Sequence, residues 1–205
     1  MIKKYLKNQG GYTIIETMIA ISLFIIIVMI GTGALLNANL LHQKSRDMRS
    51  IIDNLSFIME DMSKNLRTGY NYHCLVAGED TLPTPNMSNP KSCSSGGWGV
   101  AFESALGSYD NNDDQWVYYI DSGKIFKSIN GPSNLSNFIQ LTPEEVEIDA
   151  TSSFLVTGAE APDPDGTGDH EQPFITIKLI GKITYKNVVS PFSLQTSVSQ
   201  RQIDI

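Results

Sequence analysis

The stretch "GGYTIIETMIAISLFIIIVMIGTG", Gly10 to Gly33, decides how the rest of the chain is read. It is apolar almost throughout, yet Glu16 stands near its start. A carboxylate at membrane depth is expensive, so such a residue is usually functional or snorkels to the headgroups. Gly10 and Gly11 open the run, and Lys3, Lys4 and Lys7 precede them. From Ile14 to Leu36, at about 1.5 Å per residue, a helix reaches roughly 35 Å against a hydrocarbon core of about 30 Å. The lysines sit before this span, and no basic cluster follows it as closely. By the positive-inside bias the N-terminus stays cytoplasmic and everything after Leu36 lies outside. A removable secretory signal would carry an apolar core of about 7–15 residues with small residues after it. Here the run is longer and the small residues come first. A plain single-pass anchor accounts for the span but leaves Glu16 unexplained.

The whole chain has 205 residues, enough for one domain of ordinary size and an anchor. Its 41% hydrophobic and 18% charged residues suit a folded protein, and a mean hydropathy of −0.12 excludes a polytopic membrane protein. The net charge of −7 argues against a general nucleic-acid coat, which needs clustered Lys and Arg to displace counterions. Nothing supports a nucleic-acid partner. The two cysteines, Cys74 and Cys93, bracket a Pro/Asn/Ser-rich loop. A disulfide between them would stabilise by roughly 3 kcal/mol in the chain-entropy model. It requires an oxidising compartment, which the orientation of the span supplies. The rival reading is two unpaired thiols.

"KNQGGYTIIETMIAISLF" resembles the processing motif of type IV prepilins and pseudopilins: basic leader, glycine, aromatic residue, Thr, two aliphatics, Glu. The likeness covers about the first 35 residues. It implies cleavage between Gly11 and Tyr12 by a prepilin peptidase on the cytoplasmic face, and N-methylation of the new amino group on Tyr12. Tyr12 replaces the commoner Phe, and Ile14 the commoner Leu; both changes are conservative. The chemistry is consistent with the motif. Glycine before the scissile bond lets backbone approach an intramembrane active site. Cleavage creates a cationic amine beside an apolar span, and in a helical array Glu16 of one subunit can meet the Tyr12 ammonium of a neighbour. Opposite charges attract far more strongly in low dielectric, which offsets their desolvation.

The span runs without proline into "NANLLHQKSRDMRSIIDNLSFIMEDMSKNLRTG". Leu41, Met48, Ile51, Leu55, Ile58, Met62 and Leu66 recur at helical spacing, with Arg49, Asp53, Glu60, Lys64 and Arg67 between them. The spacing predicts one helix from about Tyr12 to Thr68, closed by Gly69 as a C-cap. Gly31 and Gly33 weaken it locally, by about 1 kcal/mol each relative to Ala. In pilin-like proteins this region can lose helix on assembly; close packing through small residues is the alternative.

After Gly69 the period changes to short alternating runs. Strands are predicted at 97–103, 115–121, 124–129, 138–141, 146–149, 153–158, 174–186 and 192–200, with a hairpin at Ser122-Gly123. The predicted fold class is α+β and pilin-like, a long helical spine carrying a C-terminal antiparallel sheet. Its divisions are a cleaved leader (1–11), a membrane or filament-core half-helix (12–36), an amphipathic half-helix (37–68) and a globular domain (69–205).

Two acidic loops invite a metal. "DPDGTGDHE" (163–171) places Asp163, Asp165, Thr167 and Asp169 at alternate positions with Gly168 sixth, overlapping the start of an EF-hand loop. Phe174 stands where the bidentate Glu belongs, and Pro164 intervenes. "YDNNDDQ" (109–115) offers Asp110, Asn111, Asp113 and Asp114. Calcium there would be structural; the competing reading is a solvated acidic turn. His42, His73 and His170 lack nucleophile or zinc spacing, so an enzyme is not expected and no cofactor is called for.

The expected function is that of a minor type IV pilin, priming assembly or presenting a binding surface. "FIMEDMSKNLRTG" (57–69) resembles the stem of minor pilins and pseudopilins of the J or W type, a weaker match than the N-terminal one. The alternatives are a pseudopilin of a type II secretion or competence system, or a pilin-anchored adhesin, which exposed Trp98, Trp116, Tyr118 or Tyr119 would favour. The implied partners are the prepilin peptidase/methyltransferase, other pilins in a helical filament, and membrane lipid before assembly. The implied location is the bacterial cytoplasmic membrane, single-pass with the C-terminus outside, then an extracellular pilus or periplasmic pseudopilus.

Overall fold

The computed structural model describes residues 11–85, 87–160, 171–186 and 188–201. The chain separates into two units, one up to Asp47 and one from Met48 onward.

The first unit is the N-terminal part of helix α1, which spans Ile14–Thr68. Thr13 caps it: its Oγ1 accepts the Glu16 N–H at 3.3 Å, and its carbonyl accepts the first helical bond from Thr17. The apolar residues from Ile14 to Leu36 are all exposed, as expected of a surface made for lipid or for other helices. Among the described residues this is the one helix long and apolar enough to cross a membrane. It passes through Gly31 and Gly33 unbroken, and no side chain or foreign backbone lies within 4 Å of where their Cβ atoms would be.

The second unit starts on the same helix. Its buried stripe is Ile51, Leu55, Ile58, Met59, Met62 and Leu66, with Met48 half-buried. Met59 joins the stripe beyond the predicted set, and Leu41 is 68% exposed. The predicted period holds, but it turns inward only from Met48.

Ten strands follow: β1 (Tyr70–Leu75), β2 (Cys93–Gly97), β3 (Gly99–Glu103), β4 (Gln115–Asp121), β5 (Lys124–Ser128), β6 (Ile139–Gln140), β7 (Val146–Ile148), β8 (Ser153–Thr157), β9 (Phe174–Tyr185) and β10 (Val188–Ser199). They make two antiparallel sheets rather than one. The first has the order β1-β3-β4-β5-β6; the second β10-β9-β8-β2, with β7 also on β9. Sequence patterning located eight strands and missed β1 and β2. β2 reads "CSSGG", with no alternating apolar side chains to betray it, and β1, "YNYHCL", follows the helix with only Gly69 between. The β4–β5 hairpin turns at Ser122-Gly123, both at positive φ (49° and 74°), as a tight two-residue connection demands.

Pleating assigns alternate residues of the first sheet to two different cores. Val100, Phe102 and Tyr118 join the helix stripe and the inward residues of the second sheet, Phe154, Val156, Ile175, Ile177 and Leu179. Ala101, Val117 and Tyr119 face the other way, into a smaller cluster with Leu75 and Met87, against which Trp98, Phe126 and Phe138 pack. Burial on both faces is why β3 is buried along its whole length.

Gly69 does not close the helix in the expected way. It lacks the left-handed φ of a C-cap glycine, and the positive φ falls on Asn71, at 54°. A Cβ on Gly69 would lie 2.3 Å from Phe102 Cδ2 and 3.0 Å from the Glu103 carbonyl. Close approach of the sheet, not turn geometry, demands glycine there.

Candidate functional site

The Gly11–Tyr12 peptide precedes the helix, in exposed, non-helical chain, and Tyr12 is 82% exposed. A protease can therefore reach this bond without unwinding α1. Glu16 is exposed and lies in the first helical turn, three residues after its cap. The Thr13-x-x-Glu16 spacing is that of a capping box. A carboxylate near a helix N-terminus gains about 0.3–1 kcal/mol from the macrodipole. That is smaller than the cost of holding the charge at membrane depth, about 2.5 kcal/mol or more. Helix capping alone would not offset that cost if the helix lay in a membrane.

Cys74 and Cys93 are disulfide-bonded, with their Cα atoms 5.9 Å apart. The bond ties β1 of the first sheet to β2 of the second. Beside it, the Cys74 N–H donates to the Lys91 carbonyl and the Lys91 N–H to the Tyr72 carbonyl, each at 2.9 Å. Asp80 closes the loop: its carboxylate accepts from the Val76 N–H at 2.9 Å and pairs with Lys91 Nζ at 2.7 Å. His73 stands 3.3 Å from the same carboxylate, so it is not isolated as the sequence implied. Burial acts to raise the Asp80 pKa, but Lys91, the Val76 N–H and His73 outweigh it and hold the carboxyl below the usual range. Its contacts make the cluster a loop clasp.

Asp61 was not singled out by helical spacing because it flanks the apolar stripe. It accepts from Tyr118 Oη at 3.2 Å and pairs with Lys127 Nζ at 2.9 Å, while Asn65 donates to Tyr118 Oη at 2.9 Å. Lys127 also lies 4.6 Å from the Trp116 ring centroid. Burial opposes ionisation of Asp61, yet Lys127, Asn65 and Tyr118 together hold its carboxyl below the usual range. These contacts pin the helix to β4 and β5.

The aromatic residues proposed as sugar-stacking candidates are largely internal. Tyr118 is fully buried and Tyr119 is buried; Trp98 and Trp116 are half-buried, Trp98 edge-on to Tyr119. Trp116 lines one side of a shallow recess of about 190 Å³ with Phe102, Leu106, Asn65 and Thr68.

Asp163, Asp165, Thr167 and Asp169 lie outside the described residues. In the other acidic loop, Asn111 Oδ1 accepts the Asp113 N–H at 3.3 Å and caps a short 3-10 turn at Asn112–Asp114. Asp110 and Asp113 are exposed, and Asp114 alone turns inward. Among the described residues no three His, Cys, Asp or Glu side chains converge as a metal cluster. Comparison with protein-family models, with curated proteins and with solved structures finds no match to this chain.

Proposed function

We propose that this chain is a minor type IV pilin, a structural subunit rather than a catalyst. In this reading it is held in the bacterial cytoplasmic membrane by residues 12–36, with the rest outside. A prepilin peptidase cleaves it after Gly11 and methylates Tyr12, and it then enters a filament with other pilins. The observation that carries the reading is the pairing of an accessible Gly11–Tyr12 bond with a fully exposed apolar helix bearing Glu16 at its head. Such a helix needs lipid or other helices around it, and Glu16 needs a cation that the described chain does not supply. A neighbouring subunit's Tyr12 ammonium meets the second need only after cleavage. The disulfide suits an oxidising compartment on the outer side.

A pseudopilin of a secretion or competence system uses the same device and remains the second reading. The adhesin reading is weakened by the burial of Tyr118 and Tyr119 and the half-burial of both tryptophans. The test is the N-terminus of the protein extracted from membranes of cells with and without prepilin peptidase, by intact mass and peptide sequencing. A chain beginning at methylated Tyr12 only when the peptidase is present is expected. A chain retaining residues 1–11 in both strains would sink the proposal.

A further inference from the structure

At the end of the first sheet, Tyr70, Glu103 and Gln115 stand side by side, being register partners across β1, β3 and β4. Glu103 is fully buried, and neither of its carboxylate oxygens has a hydrogen-bond partner. Asp114 Oδ1, at the end of the acidic turn, is likewise buried and unpartnered. The Tyr70 and Ser108 donors are already engaged, and the Gln115 amide, with one N–H still free, lies outside hydrogen-bonding geometry to Glu103 while opposing the rise of its pKa. Tyr70 Oη donates to the Gly107 carbonyl at 2.9 Å, and the Ser108 N–H to Asp114 Oδ2 at 3.1 Å. Gln115 directs Nε2 to Ser88 Oγ at 3.4 Å, and its Oε1 accepts the Met87 N–H at 3.1 Å. The 104–114 loop folds back over the carboxylate: a Cβ on Gly107 would lie 3.0 Å from Glu103 Oε2.

Burying an ionised carboxylate without a partner costs several kcal/mol, so such groups are paired, protonated or bound to metal. A single proton shared between the two carboxyls would satisfy one contact and leave the remaining oxygens bare. A divalent cation satisfies all three at once. We propose that Glu103 and Asp114 bind a divalent cation, calcium by their all-oxygen chemistry, where the 104–114 loop closes over β3. Calcium accepts six to eight oxygens at about 2.3–2.6 Å and takes backbone carbonyls and waters alongside carboxylates. Two carboxylates are therefore enough charge to balance it. The burial of Glu103 raises its pKa, Gln115 acting against this and Asp114 adding to it, which is the electrostatic cost a cation offsets. The ion would fasten the loop to the sheet end at β3, whichever filament the chain enters. Spacing within 109–115 did not reveal this pair, because Glu103 comes from the preceding strand.

The test is terbium luminescence of the full-length chain in detergent micelles, excited through tyrosine, with Tyr70 next to the site. Calcium titration of the thermal midpoint accompanies it. Wild type is expected to show sensitised emission that calcium displaces, and a midpoint that rises with calcium. Glu103→Gln should lose both, Asp114→Asn should weaken both, and Asp165→Asn should keep both. Circular dichroism establishes that each variant is folded. Should Glu103→Gln fail to fold, Asp114→Asn decides: unchanged emission in that variant overturns the site. Emission absent in wild type, or lost in Asp165→Asn but kept in Glu103→Gln, overturns it too. A midpoint indifferent to calcium that rises as the pH is lowered would assign the pair to a shared proton and likewise refute the cation.

Discussion

Glu16 shows how one residue can be over-determined. It stands at the third helical position, where its N–H is capped by Thr13 and its carboxylate is favoured by the helix dipole. Those local gains explain why a helix can begin here, but would not offset the cost of a charge held at membrane depth. If the missing partner is a neighbour's Tyr12 ammonium, charge matters more than shape. Glu16→Gln should then be processed and methylated normally, yet be lost from sheared filaments, as read by N-terminal mass and immunoblotting. Normal incorporation of the glutamine variant would remove the charge pair from the explanation. In the sequence this residue stood out because an acidic side chain in an apolar run has few innocent readings.

At the scale of elements, the junction of α1 with β1 is the tightest point. The last helical turn, Gly69 and the start of β1 lie directly over Phe102. Tyr72 Oη lies 2.5 Å from both the Leu66 and the Gly69 carbonyl oxygens and shares its one proton between them, so the strand returns to seal the helix end. A methyl group at Gly69 has nowhere to go unless the Phe102 ring moves. Gly69→Ala should cost about 1–3 kcal/mol by overpacking, measured as a lowered denaturant midpoint with unchanged slope. A neutral effect would show that the ring yields freely. Helical periodicity made α1 legible because one face repeats over many turns. β2 was not legible, since "CSSGG" carries no apolar alternation and its pairing with β8 and the disulfide hold it; β1 escaped notice although it buries Tyr72, Cys74 and Leu75.

For the whole molecule, two carboxylates held by partners in other segments shape the expected acid response. Asp61 joins the helix to β4 and β5, and Asp80 closes the loop beside the disulfide. Both carboxyls are held below their ordinary value of 3.8 by those partners, against the opposing effect of burial. Their contribution is therefore fully present above about pH 4 and is lost as pH falls through the lower folded values. Thermal stability should accordingly fall in acid below about pH 4, and Asp61→Asn should lower the midpoint at neutral pH while flattening the acid decline. An equally steep decline in that variant would place the acid-labile contacts elsewhere. Glu103 acts in the opposite sense: its raised pKa makes its contribution fade as pH climbs above about 4.5.

By itself the sequence determined what depends on order along the chain. The apolar run marks one N-terminal helix long enough to cross a membrane. The helical period from Met48 to Leu66 marks the buried stripe, and alternation locates eight strands. Each is a local pattern, legible because neighbours in sequence are neighbours in space. Tertiary structure alone decided what depends on distant residues meeting. It divided the strands between two sheets, turned Tyr118 and Tyr119 inward, and set Asp61 against Lys127. It also placed Glu103 of β3 at the sheet end over which the turn bearing Asp114 folds, leaving both Glu103 carboxylate oxygens and Asp114 Oδ1 buried without a hydrogen bond. No spacing rule could reveal that pair, because its two carboxylates belong to different segments and only packing removes them from water.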